Sequence, residues 1–279
     1  MSSTFSVYVV GLCFGTDEVS GMLDVADQFC ERNFPGSKVV RVVVDNIVQD
    51  SNILETDYCV CIPGDNSSLE FSGWQNGLDF IRVRYAPSAS DVCLLVNDTV
   101  HRRNYAVGGN RFFDDYRIRR IHSEWPTHWA AGYLDDFPAP TKINGLEFSS
   151  WIRSNFVAFN WACLDLISPL VFHCQENELF VDDINEGFWK PDAPLSENWK
   201  AYISSWMFGT EDPLFPEYRL KWIKSQSLSA NNRNDFKRKA ICILSEHYLS
   251  ARLFSKNVVI FDFNTYPKLV DRHLTPYYG

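Results

Sequence analysis

The sequence predicts an α/β protein in which a mainly parallel sheet is covered by helices. Three observations predict it. Strand-length apolar runs alternate with helix-length stretches through the first hundred residues. The apolar runs are nearly continuous rather than alternating, as expected of strands buried on both faces. Successive runs also stop abruptly at Asx residues, which end strands and open turns.

The elements follow in order. Residues 5–13 (FSVYVVGLC) form a buried strand, and 17–34 a helix opened by Asp17 with Glu18 in its first turn, stopped by Pro35-Gly36. Residues 38–44 (KVVRVVV) are the next strand and end in Asp45-Asn46. A third short strand spans 57–62 (DYCVCI) and stops at Pro63-Gly64-Asp65-Asn66; a helix at 73–84 and a strand at 91–96 follow. Beyond residue 105 the pattern loosens. The segment 101–120 is basic (His101, Arg102, Arg103, Arg111, Arg117, Arg119, Arg120), either a solvated face or an anion-binding loop. Residues 147–168 read as a short strand or helix start followed by a helix-like stretch, NFVAFNWACLDLI. Residues 175–198 are acidic and loop-rich, with Asp182, Asp183 and Glu186. Trp-rich amphipathic helices are predicted over 195–208 and 213–226, and a long helix over 232–255 leads to a last strand, 257–263. There is no internal repeat. The simplest organisation is one domain over 1–279, with an N-terminal half at 1–104 and a second half at 105–279 ending in a Trp-rich helical elaboration.

Composition narrows the function classes. The net charge of −9 argues against a nucleic-acid backbone as the main partner, which would require a basic face. No apolar run approaches the roughly 20 residues that cross a bilayer. The start, MSSTFSVYVVG, has neither a basic n-region nor a small-residue cleavage site, so a cytoplasmic protein is expected. Cys59 and Cys61 lie two apart, the wrong spacing for a CxxC redox or zinc pair. Eight of the nine tryptophans follow residue 120, which suits either core packing or sugar-stacking platforms.

Several chemistries lose their sequence support. Residues 11–15 (GLCFG) lack the spacing of a dinucleotide fingerprint, and no GxxxxGK[ST], GxSxG or HExxH occurs. Paired acids at Asp114-Asp115, Asp135-Asp136 and Asp182-Asp183 are sequence neighbours that rarely face the same way. By contrast, three successive strands end in Asp45-Asn46, Gly64-Asp65-Asn66 and Asn97-Asp98. In an open α/β sheet, ligands bind outside the carboxyl ends of the strands, so these ends describe a nucleotide crevice.

Three segments resemble one family. NSSLEFSGWQNGLDF, from Asn66, resembles the N-x-G-F-x-x-G-x-N-x-G segment of family 2 glycosyltransferases, the rhamnosyltransferase-like and O-antigen members in particular. Phe71, Gly73, Asn76 and Gly77 fall near its aromatic, glycine and asparagine positions. VCLLVNDTV, residues 92–100, resembles the strand that ends in that family's version of the Asp-x-Asp motif. SEHYLSARLFSKNVVIF, from Ser245, resembles its E-D-x-x-L-x-x-R-L-x-x-x-G segment, with Glu246, Leu249, Arg252 and Leu253 in step.

The resemblance implies a GT-A (Rossmann-like) fold and an inverting glycosyltransferase that moves a sugar from a nucleoside-diphosphate donor to a glycan or lipid-linked acceptor. The setting it implies is O-antigen or other surface polysaccharide synthesis, in the cytoplasm and in peripheral contact with the inner membrane face. Asp98 is the expected ligand of a divalent metal (Mn²⁺ or Mg²⁺), assisted by Asn97 or Thr99, because the leaving diphosphate needs its charge neutralised. A single carboxylate where the family has two also leaves room for weak or absent metal dependence. Asp45 and Asn46, Asp65 and Asn66, and Arg252 are expected at the donor, with Asn76 and Gly77 packing a helix close to it. An inverting transferase needs a general base at the acceptor hydroxyl. At the family's aspartate this sequence has His247, so Glu246 and His247 are both candidates. Tyr133, Asp135 and Asn155 are candidate acceptor contacts, although Ser154 or Asn155 equally suits a helix cap. The rival reading, favoured by His247, is a non-catalytic nucleotide-sugar- or glycan-binding protein on the same fold.

Overall fold

The computed structural model describes residues 5–15, 19–47, 52–100, 128–217 and 221–263. The strands are β1 (Ser6–Cys13), β2 (Lys38–Asp45), β3 (Leu54–Glu55), β4 (Val60–Pro63), β5 (Val92–Asn97), β6 (Trp129–Ile143), β7 (Leu146–Asn160) and β8 (Val259–Asp262). The helices are α1 (Val19–Asn33), α2 (Glu70–Tyr85), α3 (Trp161–Ile167), α4 (Glu176–Leu179), α5 (Glu197–Phe208) and α6 (Arg233–Ser255). Among the described residues the strands form one sheet in the order β3-β4-β2-β1-β5-β7-β6-β8. Strands β4, β2, β1 and β5 run parallel, while β3 joins β4 and β7 joins β5 in antiparallel pairs. The sheet is therefore mixed, with a parallel centre, and helices flank it.

The chain divides into two compact units. The first comprises Met1–Leu134, Ile152–Leu170 and Lys256–Gly279, and the second Asp135–Trp151 and Val171–Ser255. The strands β6 and β7 run from one into the other. In the first unit, α1 and α2 cover opposite faces of β1. Met22 of α1 packs against Gly11, whereas Gly73 and Gly77 of α2 sit over Leu12 and Val10. Strand alternation puts residue 11 on the face opposite 10 and 12. The α1 face carries a core of Val7, Val9, Phe29, Val43, Leu94 and Phe156, all nearly free of solvent. Each such side chain contributes roughly 1.5–3 kcal/mol by burial. The second unit has its own core, built around Phe137, Trp151, Trp199, Phe236 and Leu244.

Three expectations need correction. The stretch NFVAFN is the end of β7, not a helix, because residues 155–160 are buried on both faces and so show no period. The hairpin joining β6 to β7 turns at Asn144-Gly145, whose φ values of 49° and 78° are those of a type I′ turn. Ser154 and Asn155 lie within β7 and cap no helix; the N-cap of α3 is Asn160. No helix forms in the described parts of 213–226, where Pro213 and Pro216 remove donors and constrain the residues before them. The basic segment 101–120, Trp125, Asp114-Asp115 and the helix start at Asp17-Glu18 lie outside the described residues. Among those described, no helix is long and apolar enough to cross a membrane.

Candidate functional site

In the first unit β1 is flanked by β2 on one side and β5 on the other, although the chain visits β2 and β4 before it returns to β5. The strand order thus reverses between β1 and β5, the topological switch point at which parallel sheets open a crevice. Two polar ends meet there. Asp45 ends β2, 7% exposed, and its Oδ1 accepts hydrogen bonds from the Gly15 N–H at 3.1 Å and the Ile47 N–H at 2.9 Å. Asp98, just past β5, accepts from the Phe14 N–H through Oδ2 at 3.1 Å, and its own N–H donates to the Leu12 carbonyl at 2.9 Å. Two carboxylates therefore hold consecutive amides of the loop that leaves β1. Burial first, then the nearness of Asp45 and Asp98, pushes the Cys13 thiol up to about 12.

Asn97, buried at the end of β5, turns its Oδ1 back to the N–H and hydroxyl of Thr99, at 3.2 and 2.7 Å. Asn46 donates through Nδ2 to the Leu69 carbonyl at 3.1 Å, tying the end of β2 to the start of α2, and its buried Oδ1 has no partner. The close approach of α2 depends on glycine: a methyl group at Gly77 would collide with Val10 Cγ1, and one at Gly73 with Leu12 Cδ1. Asn76 is half-buried on that helix.

Asp65 is exposed and accepts from the Ser67 N–H and hydroxyl, both at 3.0 Å, in a turn before α2. Partial burial raises its pKa, but hydrogen bonds from Ser67 and Ser72 outweigh that and leave it below the ordinary carboxylate value. Asn66 takes φ of 51° in the same turn. These two residues shape the loop between β4 and α2. Tyr133 is a core residue of β6, 2% exposed, with its ring against Phe263 at 5.3 Å. Asn155 lies on β7, 7% exposed, and neither atom of its carboxamide has a hydrogen-bond partner.

The other predicted residues belong to the second unit. Asp135 is half-buried on β6. His247 on α6 is 2% exposed and enclosed by Phe137, Trp151 and Trp199, with ring centroids 5.0, 4.8 and 6.0 Å away. Its Nδ1 accepts the Trp199 indole N–H at 3.0 Å. The proton of the neutral ring is therefore on Nε2, which lies 4.0 Å from Glu246 Oε2. Burial, with a lesser push from Lys239, lowers its pKa to about 3. An imidazole so enclosed is a packing element rather than a ready base, and Glu246 is the half-buried acid beside it. Arg252, one and a half turns further on, places its guanidinium 4.9 Å from the centre of the Tyr248 ring. Its Nε and Nη2 are buried without partners, and burial lowers its pKa to about 10.

A separate cavity of about 390 Å³ in the second unit is lined by Asp182, Asp183, Glu186 and Asp192 together with Lys190, Val181 and Pro191. None of the predicted site residues reaches it. Among the described residues, no three His, Cys, Asp or Glu side chains are grouped to hold a metal ion. Sequence reasoning missed the enclosure of His247, because its cage comes from Phe137, Trp151 and Trp199, far apart in the chain. No protein-family model matches the sequence, and no curated protein matches it.

Proposed function

We propose that the protein is a GT-A glycosyltransferase using a nucleoside-diphosphate sugar, with the donor at the switch-point crevice of the first unit. One observation carries the reading: Asp45 and Asp98 flank the β1 loop at the point where the strand order reverses. Asp45 is the group for the nucleoside, at the β2 end, and Asn97 and Asp98 for the diphosphate. A divalent ion, when bound, would neutralise the leaving diphosphate. Mg²⁺ is ordinarily held by one or two carboxylates together with substrate phosphates. The single carboxylate at the end of β5 fits that requirement, and Asp98 would hold the ion.

Glu246 is the proposed general base, taking the proton of the acceptor hydroxyl as the sugar is transferred. His247 positions it by filling the aromatic cage behind it. The acceptor is a glycan or lipid-linked glycan, consistent with surface polysaccharide synthesis. A binding protein without turnover is the second reading, and the burial of His247 at the family's base position favours it. A thermal-shift panel of UDP, GDP, dTDP and CMP, with and without Mn²⁺ or Mg²⁺, tests the donor site. Stabilisation by one nucleoside diphosphate is expected, and no shift with any of them would overturn the reading. Release of free sugar from the matching donor would then dismiss the second reading.

A further inference from the structure

Asn155 stands out in the first unit. It lies within a strand, 7% exposed, and both its donor and its acceptor are without protein partners. A buried carboxamide left this way costs the fold roughly 1–3 kcal/mol, so its presence calls for a ligand. The antiparallel register of β5 and β7 pairs Val96 with Phe156. One residue further along, Asn155 stands opposite Asn97, and cross-strand partners share a face of the sheet. Asn155 therefore extends the line of polar strand ends by one strand beyond Asp98, on the side away from Asp45. From β4 through β2, β1 and β5 to β7 that line crosses four strand spacings, roughly 19 Å.

We infer that Asn155 binds the sugar of the donor, its carboxamide donating to and accepting from sugar hydroxyls beside the diphosphate position at Asn97-Asp98. The inference rests on the glycosyltransferase reading and adds the residue that selects the sugar. The chemistry fits. A carboxamide offers two N–H donors and a two-lone-pair oxygen, the complement of a hydroxyl pair. A buried site built to pair with a hydroxyl also rejects a ligand lacking it, because its own groups are then left unmet.

The test uses Asn155→Leu, which keeps the branching of the side chain and removes its polar atoms, with Asn155→Ala as a smaller second variant. Dissociation constants are measured for UDP, GDP and dTDP and for UDP-glucose, GDP-mannose and dTDP-glucose. In the wild type, one sugar nucleotide should bind more tightly than its own nucleoside diphosphate. In the variants that affinity should fall by about tenfold or more, to the level of the nucleoside diphosphate, whose own binding stays within about twofold. The melting temperature of Asn155→Leu should hold or rise, since an unmet polar group has been removed. Equal losses for both ligand types, or unchanged sugar-nucleotide binding, would overturn the inference, as would a wild type indifferent to the sugar. A wild type that binds no nucleoside diphosphate would instead fail the glycosyltransferase reading itself.

Discussion

Trp199 donates its indole N–H to His247 Nδ1 at 3.0 Å, inside a cage that leaves the imidazole 2% exposed. That bond fixes the ring as a neutral acceptor, and protonating Nδ1 would both break it and charge a buried group. The folded pKa of about 3 lies below the ordinary value of 6.5. Between these values the unfolded chain binds a proton that the folded chain does not. The contribution of His247 is thus present above pH 6.5 and lost as pH falls from there toward 3. His247→Gln keeps an acceptor for Trp199 without titrating. The stability gap between wild type and His247→Gln, measured by urea unfolding, should shrink by about 1 kcal/mol between pH 6.5 and 5.5. A gap that does not change with pH would show that His247 is not held neutral.

Glu246→Gln separates the two candidates for the base. The substitution removes the proton acceptor while keeping shape and hydrogen bonding. Transfer should slow by about 100-fold or more, with nucleoside-diphosphate binding unchanged. His247→Gln should slow transfer less, because it acts by positioning Glu246. If His247→Gln gives the larger loss, the base belongs to His247.

The parallel centre of the sheet was legible for a physical reason. Strands β1 and β5 are buried along almost their whole length and read as near-continuous apolar runs, whereas β2 is broken by Arg41 and is fully buried only from Val42 to Asp45. Strand β6 was not legible. Its outer half carries Pro138 and Pro140, which argue against a strand. They are tolerated because β8 pairs with β6 only from Trp129 to Gly132, leaving that edge unpaired by β8 further along. The Asn144-Gly145 pair is the turn signal of its hairpin. The strand-end residues Asp45, Asn97 and Asp98 could be read directly. Glu246 and His247 are candidates only through the family resemblance, which does not tell the burial of one from the partial exposure of the other.

The contact between α2 and the sheet gives a structural test. A methyl group at Gly77 would strike Val10 Cγ1 and crowd Val44 Cγ2 at 3.1 Å, both within the core under the crevice. Gly77→Ala gains helix propensity of roughly 1 kcal/mol. Overpacking costs typically 1–3 kcal/mol and should prevail. The urea midpoint should therefore fall, and donor affinity with it, because Asn46 is tied to Leu69 at the start of this helix. A midpoint equal to or above wild type would show that α2 can step back from the sheet.

Asp98→Asn tests the donor site with the least structural disturbance. Asp98 has a structural duty: its Oδ2 accepts from Phe14 N–H, next to the Gly15 N–H held by Asp45. Asparagine keeps an oxygen for that bond and removes only the charge. The melting temperature should stay close to wild type, whereas Asp98→Ala, which drops the bond, should lose about 1 kcal/mol. Transfer in Asp98→Asn should fall by about 100-fold or more, because the leaving diphosphate loses its counter-charge or the ion that provides it. The metal-dependent part of the thermal shift with the preferred nucleoside diphosphate should vanish with it. Wild-type transfer together with an unchanged metal response would remove Asp98 from the donor site and leave it the single role of fastening the β1 loop.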